Sequence, residues 1–189
     1  GMASSREMMV CSISEPSIIL CFMSIAITQK STNLSNIMSS VANAHNVMFT
    51  AENLFVLFAL FLIVIAETGR VPFDNPATHL ELTMIHEGMI LEYSGKYLAM
   101  VQLASYIKQA ALFTLIINIF FPYYMMTGFT AGALALSAAA FLIKILIFSV
   151  IVGVFESSIS KSRLFQVPDL IGISFVLALT SIITNIVKS

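Results

Sequence analysis

Five apolar stretches separated by shorter polar segments set the frame of this chain. The first covers residues 8–29, apolar except for Glu15 and small polar residues. Its length suffices to cross a hydrocarbon core about 30 Å thick. The others cover residues 47–66, 97–121, 131–155 and 169–187. Pro122 stops the third stretch, and Pro168 stands just before the fifth, where its missing donor would have no partner anyway. Pro16 follows Glu15 inside the first, where neighbouring polar groups absorb a kink. Residues 30–46 are rich in Ser and Asn and read as an external loop that can hold a short surface helix. The pattern predicts an all-α fold: a polytopic membrane helix bundle of about five transmembrane helices, forming one membrane domain over residues 1–189.

The segment between the second and third stretches, residues 67–96, breaks the apolar pattern. Glu67, Arg70, Asp74, His79, Glu81, His86, Glu87 and Glu92 all fall here, in a chain that is 10% charged and 58% hydrophobic. Pro72 and Pro76 exclude one continuous helix. Thr78, with Glu81 three residues on, has capping-box spacing and is expected to start a short amphipathic helix reaching Tyr93. At 100° per residue, Glu81, Gly88 and Glu92 share one face while His79, His86 and Tyr93 lie opposite. Glu81 and Glu92 stand about 16 Å apart along the axis, a spacing suited to successive relay stations. A solvated acidic face accounts for them equally well.

Composition sharpens the class. A mean hydropathy of +0.95 without any Trp leaves too few charges to cover a soluble domain. The net charge is −1 and no basic run exists, so nucleic acid is not an expected partner. Cys11 and Cys21 stand ten apart, outside any metal-ligand spacing, and read as thiols within apolar helices. No metal, iron–sulfur cluster or other cofactor is therefore expected in this chain. His86-Glu87 lacks the second His of the zinc motif, since Ile90 occupies its place. No Ser–His–acid set and no Gly-rich phosphate cradle can be placed, so no catalytic residue is expected. Gly1-Met2 is followed by neither a basic n-region nor a small-residue cleavage site, and no signal peptide is indicated.

The positive charges suggest an orientation. Arg6, Arg70, Lys96, Lys161 and Arg163 fall on one side, Lys30 and Lys188 on the other. The positive-inside bias then puts residues 67–96 and 156–163 in the cytoplasm of a multi-pass cell (inner) membrane protein.

Ionisable groups inside apolar stretches are the candidates for chemistry. Lys108 and Lys144 stand midway along the third and fourth stretches, where a charge costs roughly 2.5 to 3.5 kcal/mol on insertion scales. Each must be paired, neutral or hydrated, either in a structural ion pair or on a path for ions. Glu15 lies about two turns inside the first stretch, and Glu67 at the inner end of the second, where an interfacial carboxylate and a proton carrier are both reasonable. Glu156 follows Lys144 by twelve residues, about 120° round and 18 Å along, so the two are not direct partners. The proton-path or coupling candidates are therefore Glu15, Glu67, Asp74, Glu81, Glu92, Lys108, Lys144 and Glu156. Arg70, Asp74, His79, His86, Lys161 and Arg163 are candidates for docking a partner.

These residues also carry a resemblance. Glu67, Arg70, Pro72, Phe73, Asp74, Glu81, Leu82, Glu92 and Tyr93 resemble the loop after the fifth membrane helix of subunit 1 of respiratory complex I. The string from Asn75 to Glu87, with Glu92-Tyr93-Ser94-Gly95, is closer to the corresponding membrane subunit of formate hydrogenlyase and related membrane-bound (group 4) nickel–iron hydrogenases. Glu156-Ser157-Ser158, Lys161, Arg163-Leu164-Phe165, Val167-Pro168-Asp169 and Gly172 extend the likeness to the tail. Gly1 to Met8 and Ser14-Glu15-Pro16 extend it to the opening. The match begins at the family's fourth helix, so the resemblance implies an N-terminally truncated member. The longer spacing between Glu81 and Glu92, and His79 where complex I subunit 1 tends to have a carboxylate, favour the hydrogenase branch over a quinone site.

What the resemblance implies is a non-catalytic membrane subunit of an oxidoreductase complex. Such a subunit anchors a peripheral arm and couples its redox reaction to proton or sodium translocation. The expected partners are hydrogenase large and small subunits, an iron–sulfur subunit, antiporter-like membrane subunits and the lipid bilayer. The nickel–iron centre and iron–sulfur clusters would belong to those partners. A quinone-site subunit 1 of NADH dehydrogenase and a passive membrane anchor are the alternatives.

Overall fold

The computed structural model describes residues 2–43, 50–70, 87–90, 93–123, 130–159 and 167–188. Among these the chain is all-α, with six helices and one isolated turn: α1 (Met2–Gln29), α2 (Leu34–Asn43), α3 (Ala51–Glu67), the turn α4 (Glu87–Ile90), α5 (Gly95–Phe120), α6 (Ala131–Ser158) and α7 (Val167–Lys188). Four helices are long and apolar enough to cross a membrane, namely Ser4–Gln29, Gly95–Phe120, Ala131–Ser158 and Val167–Val187. The fifth expected crossing, residues 47–66, corresponds to α3, whose 17 described residues span about 25 Å and fall short of a full crossing. The amphipathic helix expected from Thr78 to Tyr93 lies mostly outside the described residues, only α4 and Tyr93 falling within them. Residues 34–43 of the expected external loop form α2.

The helix ends follow from local chemistry. α1 runs unbroken through Pro16, which leaves the Ser12 carbonyl without its usual donor. It closes with Lys30 at φ 50°, Ser31 donating to the Ala26 carbonyl and Lys30 to that of Ile27, the paired bonds of a Schellman turn. α3 ends the same way. Gly69 takes φ 60°, its N–H bonds the Ala66 carbonyl, and Arg70 bonds that of Ile65. A residue with a Cβ takes that conformation at a cost, as Lys30 does, and Gly69 takes it without one.

α1, α3 and α7 pack closely on one another and form the centre of the bundle. The stripe Ser14, Ser17, Cys21 and Ser24 on α1 meets Ser174, Ala178 and Ser181 on α7, all fully buried. Small side chains at this spacing let two backbones approach, and a hydroxyl pair adds a bond between them. Ser24 and Ser181 supply that pair at 2.7 Å, and Ser181 also donates to the Glu52 carbonyl of α3 at 2.9 Å. α5 and α6 lean on this centre through larger groups. Phe61 of α3 meets Phe148 and Phe155 of α6 edge to face, and Phe113 of α5 meets Phe148 likewise, the arrangement favoured by ring quadrupoles. The outer face of α6 is apolar and exposed at Leu142, Ile143, Leu146, Ile147 and Val150.

Candidate functional site

At the end of α3, polar side chains from α1, α5 and α6 come together with those of Glu67 and Arg70. The Glu67 carboxylate, the last residue of α3, is 8% exposed and lies 2.6 Å from Lys108 Nζ of α5. The fully buried Ser14 hydroxyl of α1 donates to Glu67 Oε1. One turn further, Arg70 donates to Gln109 Oε1 of α5 at 3.1 Å and stands 3.7 Å from Glu156 Oε2 of α6. Glu67 and Arg70 thus face the consecutive pair Lys108 and Gln109, and the arginine bridges on to α6. The result is two neighbouring pairs, Lys108–Glu67 and Arg70–Glu156, with Ser14 and Gln109 as neutral supports.

The lengths of the helices explain the burial of Glu67. Lys108 follows Gly95 by thirteen residues, about 20 Å along α5. Ser14 similarly stands near the middle of α1. The end of α3 is therefore flanked by the middles of two longer helices, and its terminal carboxylate is enclosed by them. Lys108 is 46% exposed and Glu67 8%, so the carboxylate is the enclosed member and the attraction between them is partly screened from the lysine side.

Lys144 takes a different position. Its ammonium donates to the Phe121 carbonyl at 2.9 Å and to that of Tyr123, capping the chain where it leaves α5. α6 is displaced along α5, so that Lys144 stands level with residue 121 and Glu156 with residue 109. The structure does not bring Lys144 to Glu67 or to Glu156. The neighbour of Glu156 is instead Arg70, and Arg70, expected as a docking residue, faces inward to Glu156 and Gln109. Glu15 is exposed on α1. Asp74, His79, Glu81, His86, Glu92, Lys161 and Arg163 lie outside the described residues. Neither Ser14 nor Gln109 is among the candidates that the sequence suggests. Each nevertheless carries a signal: Ser14 belongs to the stripe of small residues on α1, and Gln109 is a polar neighbour of Lys108 in an apolar stretch. Among the described residues no group of three His, Cys, Asp or Glu side chains is placed to hold a metal.

Several apolar spans around paired internal charges define a multi-pass membrane protein. The chain belongs to the NADH dehydrogenase family, that of complex I subunit 1, whose model matches residues 1–187. It is 29% identical to formate hydrogenlyase subunit 4 of Escherichia coli (strain K12) over 167 residues, 87% of this chain and 52% of that protein. It is 27% identical to hydrogenase-4 component C of the same strain over 178 residues, 94% of this chain and 55% of that one. An NADH-quinone oxidoreductase subunit of Brevibacillus brevis is 32% identical over 108 residues, 57% of this chain and 30% of its own length. The chain thus spans about half the length of the two hydrogenase-type relatives.

Proposed function

We propose that the protein works as a membrane subunit of a hydrogenase-type complex. In this reading it anchors a peripheral hydrogenase arm and couples the arm's redox reaction to ion movement in the membrane. The observation that carries the reading is the enclosed Glu67, held by Lys108 and Ser14, with the Arg70–Glu156 pair one turn away against the neighbouring Gln109. An enclosed carboxylate held by one ammonium feels any movement of that ammonium, and such a movement is the means by which the arm's redox step would reach the membrane. Arg70 stands at the mouth of the 67–96 segment, so a partner seated on that segment reaches the network through it. The positive charges at residues 6, 70, 96, 161 and 163 support a cytoplasmic position for that partner. Its nickel–iron centre and iron–sulfur clusters supply the redox chemistry, and this chain supplies the response to it.

The likeness to the hydrogenase-type subunits extends over 87% and 94% of the chain, against 57% for the quinone-type subunit, which favours the hydrogenase branch. The test is coupling. Purified complex in sealed vesicles is assayed for hydrogen evolution and for the ion gradient at once. Glu67→Gln keeps the hydrogen bonds but cannot exchange a proton, and is expected to lower the gradient per hydrogen evolved while the complex stays assembled. An unchanged ratio would make the network structural and the subunit an anchor. Activity that depends on added quinone would favour the quinone-type reading.

A further inference from the structure

We infer that the cavity between α5 and α6 is a binding site for one anionic phospholipid, with its headgroup at Lys144 and an acyl chain along α6. The cavity measures about 430 Å³, within the roughly 300–1,000 Å³ range of sites that hold small molecules. Its wall is almost wholly apolar: Ile117 from α5, Phe121 just past its end, and Ala140, Ile147, Phe148 and Ile151 from α6. The exception is Lys144, at the same end as Tyr123.

Two features select the ligand. First, the Lys144 ammonium is held by the carbonyls of Phe121 and Tyr123, and no carboxylate lies within ion-pair distance of it among the described residues. Carbonyl dipoles orient the ammonium but carry no formal charge, so the group complementary to a charged Lys144 is an anion. Secondly, the lysine, midway along α6, stands level with the end of α5, where the chain turns through Pro122 to Tyr123 and backbone carbonyls reach the cavity. The cavity opens beside Ile143, Ile147 and Ile151, which are exposed on the outer face of α6. An anion joined to a hydrocarbon chain satisfies both ends, and in a membrane that molecule is a phospholipid of net negative charge. The site is separate from the Glu67 network and stands whether or not that network couples ions.

The test uses the native complex purified in mild detergent and two phospholipids, phosphatidylglycerol and phosphatidylcholine, carrying the same photoreactive acyl chain. Adducts on the peptide covering residues 140–151 are quantified by mass spectrometry. Phosphatidylglycerol is expected to label this peptide roughly fivefold more than phosphatidylcholine, the preference conferred by about one lysine contact. Lys144→Gln is expected to make the two lipids equal, and Lys144→Arg to preserve the preference. Ala140→Phe, which fills the cavity, is expected to remove both adducts. Equal labelling in the wild-type protein would overturn the proposal, as would a preference that survives both Lys144→Gln and Ala140→Phe. A free photoreactive fatty acid that displaces phosphatidylglycerol at equal concentration would also overturn it, because the headgroup would then contribute nothing.

Discussion

Removing either partner of the Glu67–Lys108 pair has unequal consequences, and the inequality can be worked from the geometry. Lys108→Met leaves a carboxylate that is 8% exposed with the Ser14 hydroxyl as its remaining support. Stranding one charge of a fully buried pair costs about 3 to 5 kcal/mol. Lys108 is 46% exposed, so the pair is partly screened, and the expected cost falls to about 2 to 3 kcal/mol. Glu67→Gln leaves a neutral amide whose oxygen still accepts from Ser14 and Lys108, and the half-exposed ammonium can find other acceptors. Its cost is about 1 kcal/mol. Combining the two substitutions removes the stranded charge, so the double variant is expected to be more stable than Lys108→Met alone. Cys21 gives the readout, since it is fully buried between α1 and its neighbours and reacts with a maleimide dye only when that packing opens. With Cys11 replaced by Ser, dye incorporation into this chain on heating gives an opening temperature for each variant in the assembled complex. The expected order is wild type, Glu67→Gln, double variant, Lys108→Met. A double variant that opens before Lys108→Met would refute the idea that an enclosed carboxylate is what the lysine holds.

Two further outcomes follow from the turn and from the charge distribution. Gly69→Ala forces a Cβ into the φ 60° position that ends α3, at a cost of about 1 kcal/mol or more, and is expected to displace Arg70. A cysteine crosslink between positions 70 and 156, efficient with Gly69 present, would then weaken severalfold; equal crosslinking in both backgrounds would show that the turn does not set Arg70. Cysteines introduced at Asn75 and Ser160 are expected to be labelled from the cytoplasmic side only, and one at Asn36 from the opposite side only. Labelling of Asn75 from outside would reverse the orientation and remove the cytoplasmic partner.

The helices were legible because hydrocarbon imposes one requirement, a long apolar run, and the sequence meets it four times over described helices. The relation between helices was not legible, and the site depends on that relation. Read along the chain, Glu67 stands at a helix end and Lys108 at a helix centre, which suggests an interfacial carboxylate and a buried lysine. In the fold the carboxylate is the more enclosed of the two, because the end of α3 abuts the middles of α1 and α5. Lys144 shows the converse: midway along α6, it stands at the end of α5 because the two helices are displaced along each other. Position within a helix is therefore a poor guide to a residue's surroundings when neighbouring helices differ in length and offset. The small-residue stripes of α1 and α7 are the exception. Ser14, Ser17, Cys21 and Ser24 recur at helical spacing, and so do Ser174, Ala178 and Ser181; such stripes mark close helix contact from residue spacing alone. Ser14 belongs to that stripe and also holds Glu67, so the contact that packs α1 against the bundle is the one that fixes the carboxylate. Loosening that packing is then expected to free the carboxylate as well, which ties the stability of α1 to the charge state of the network.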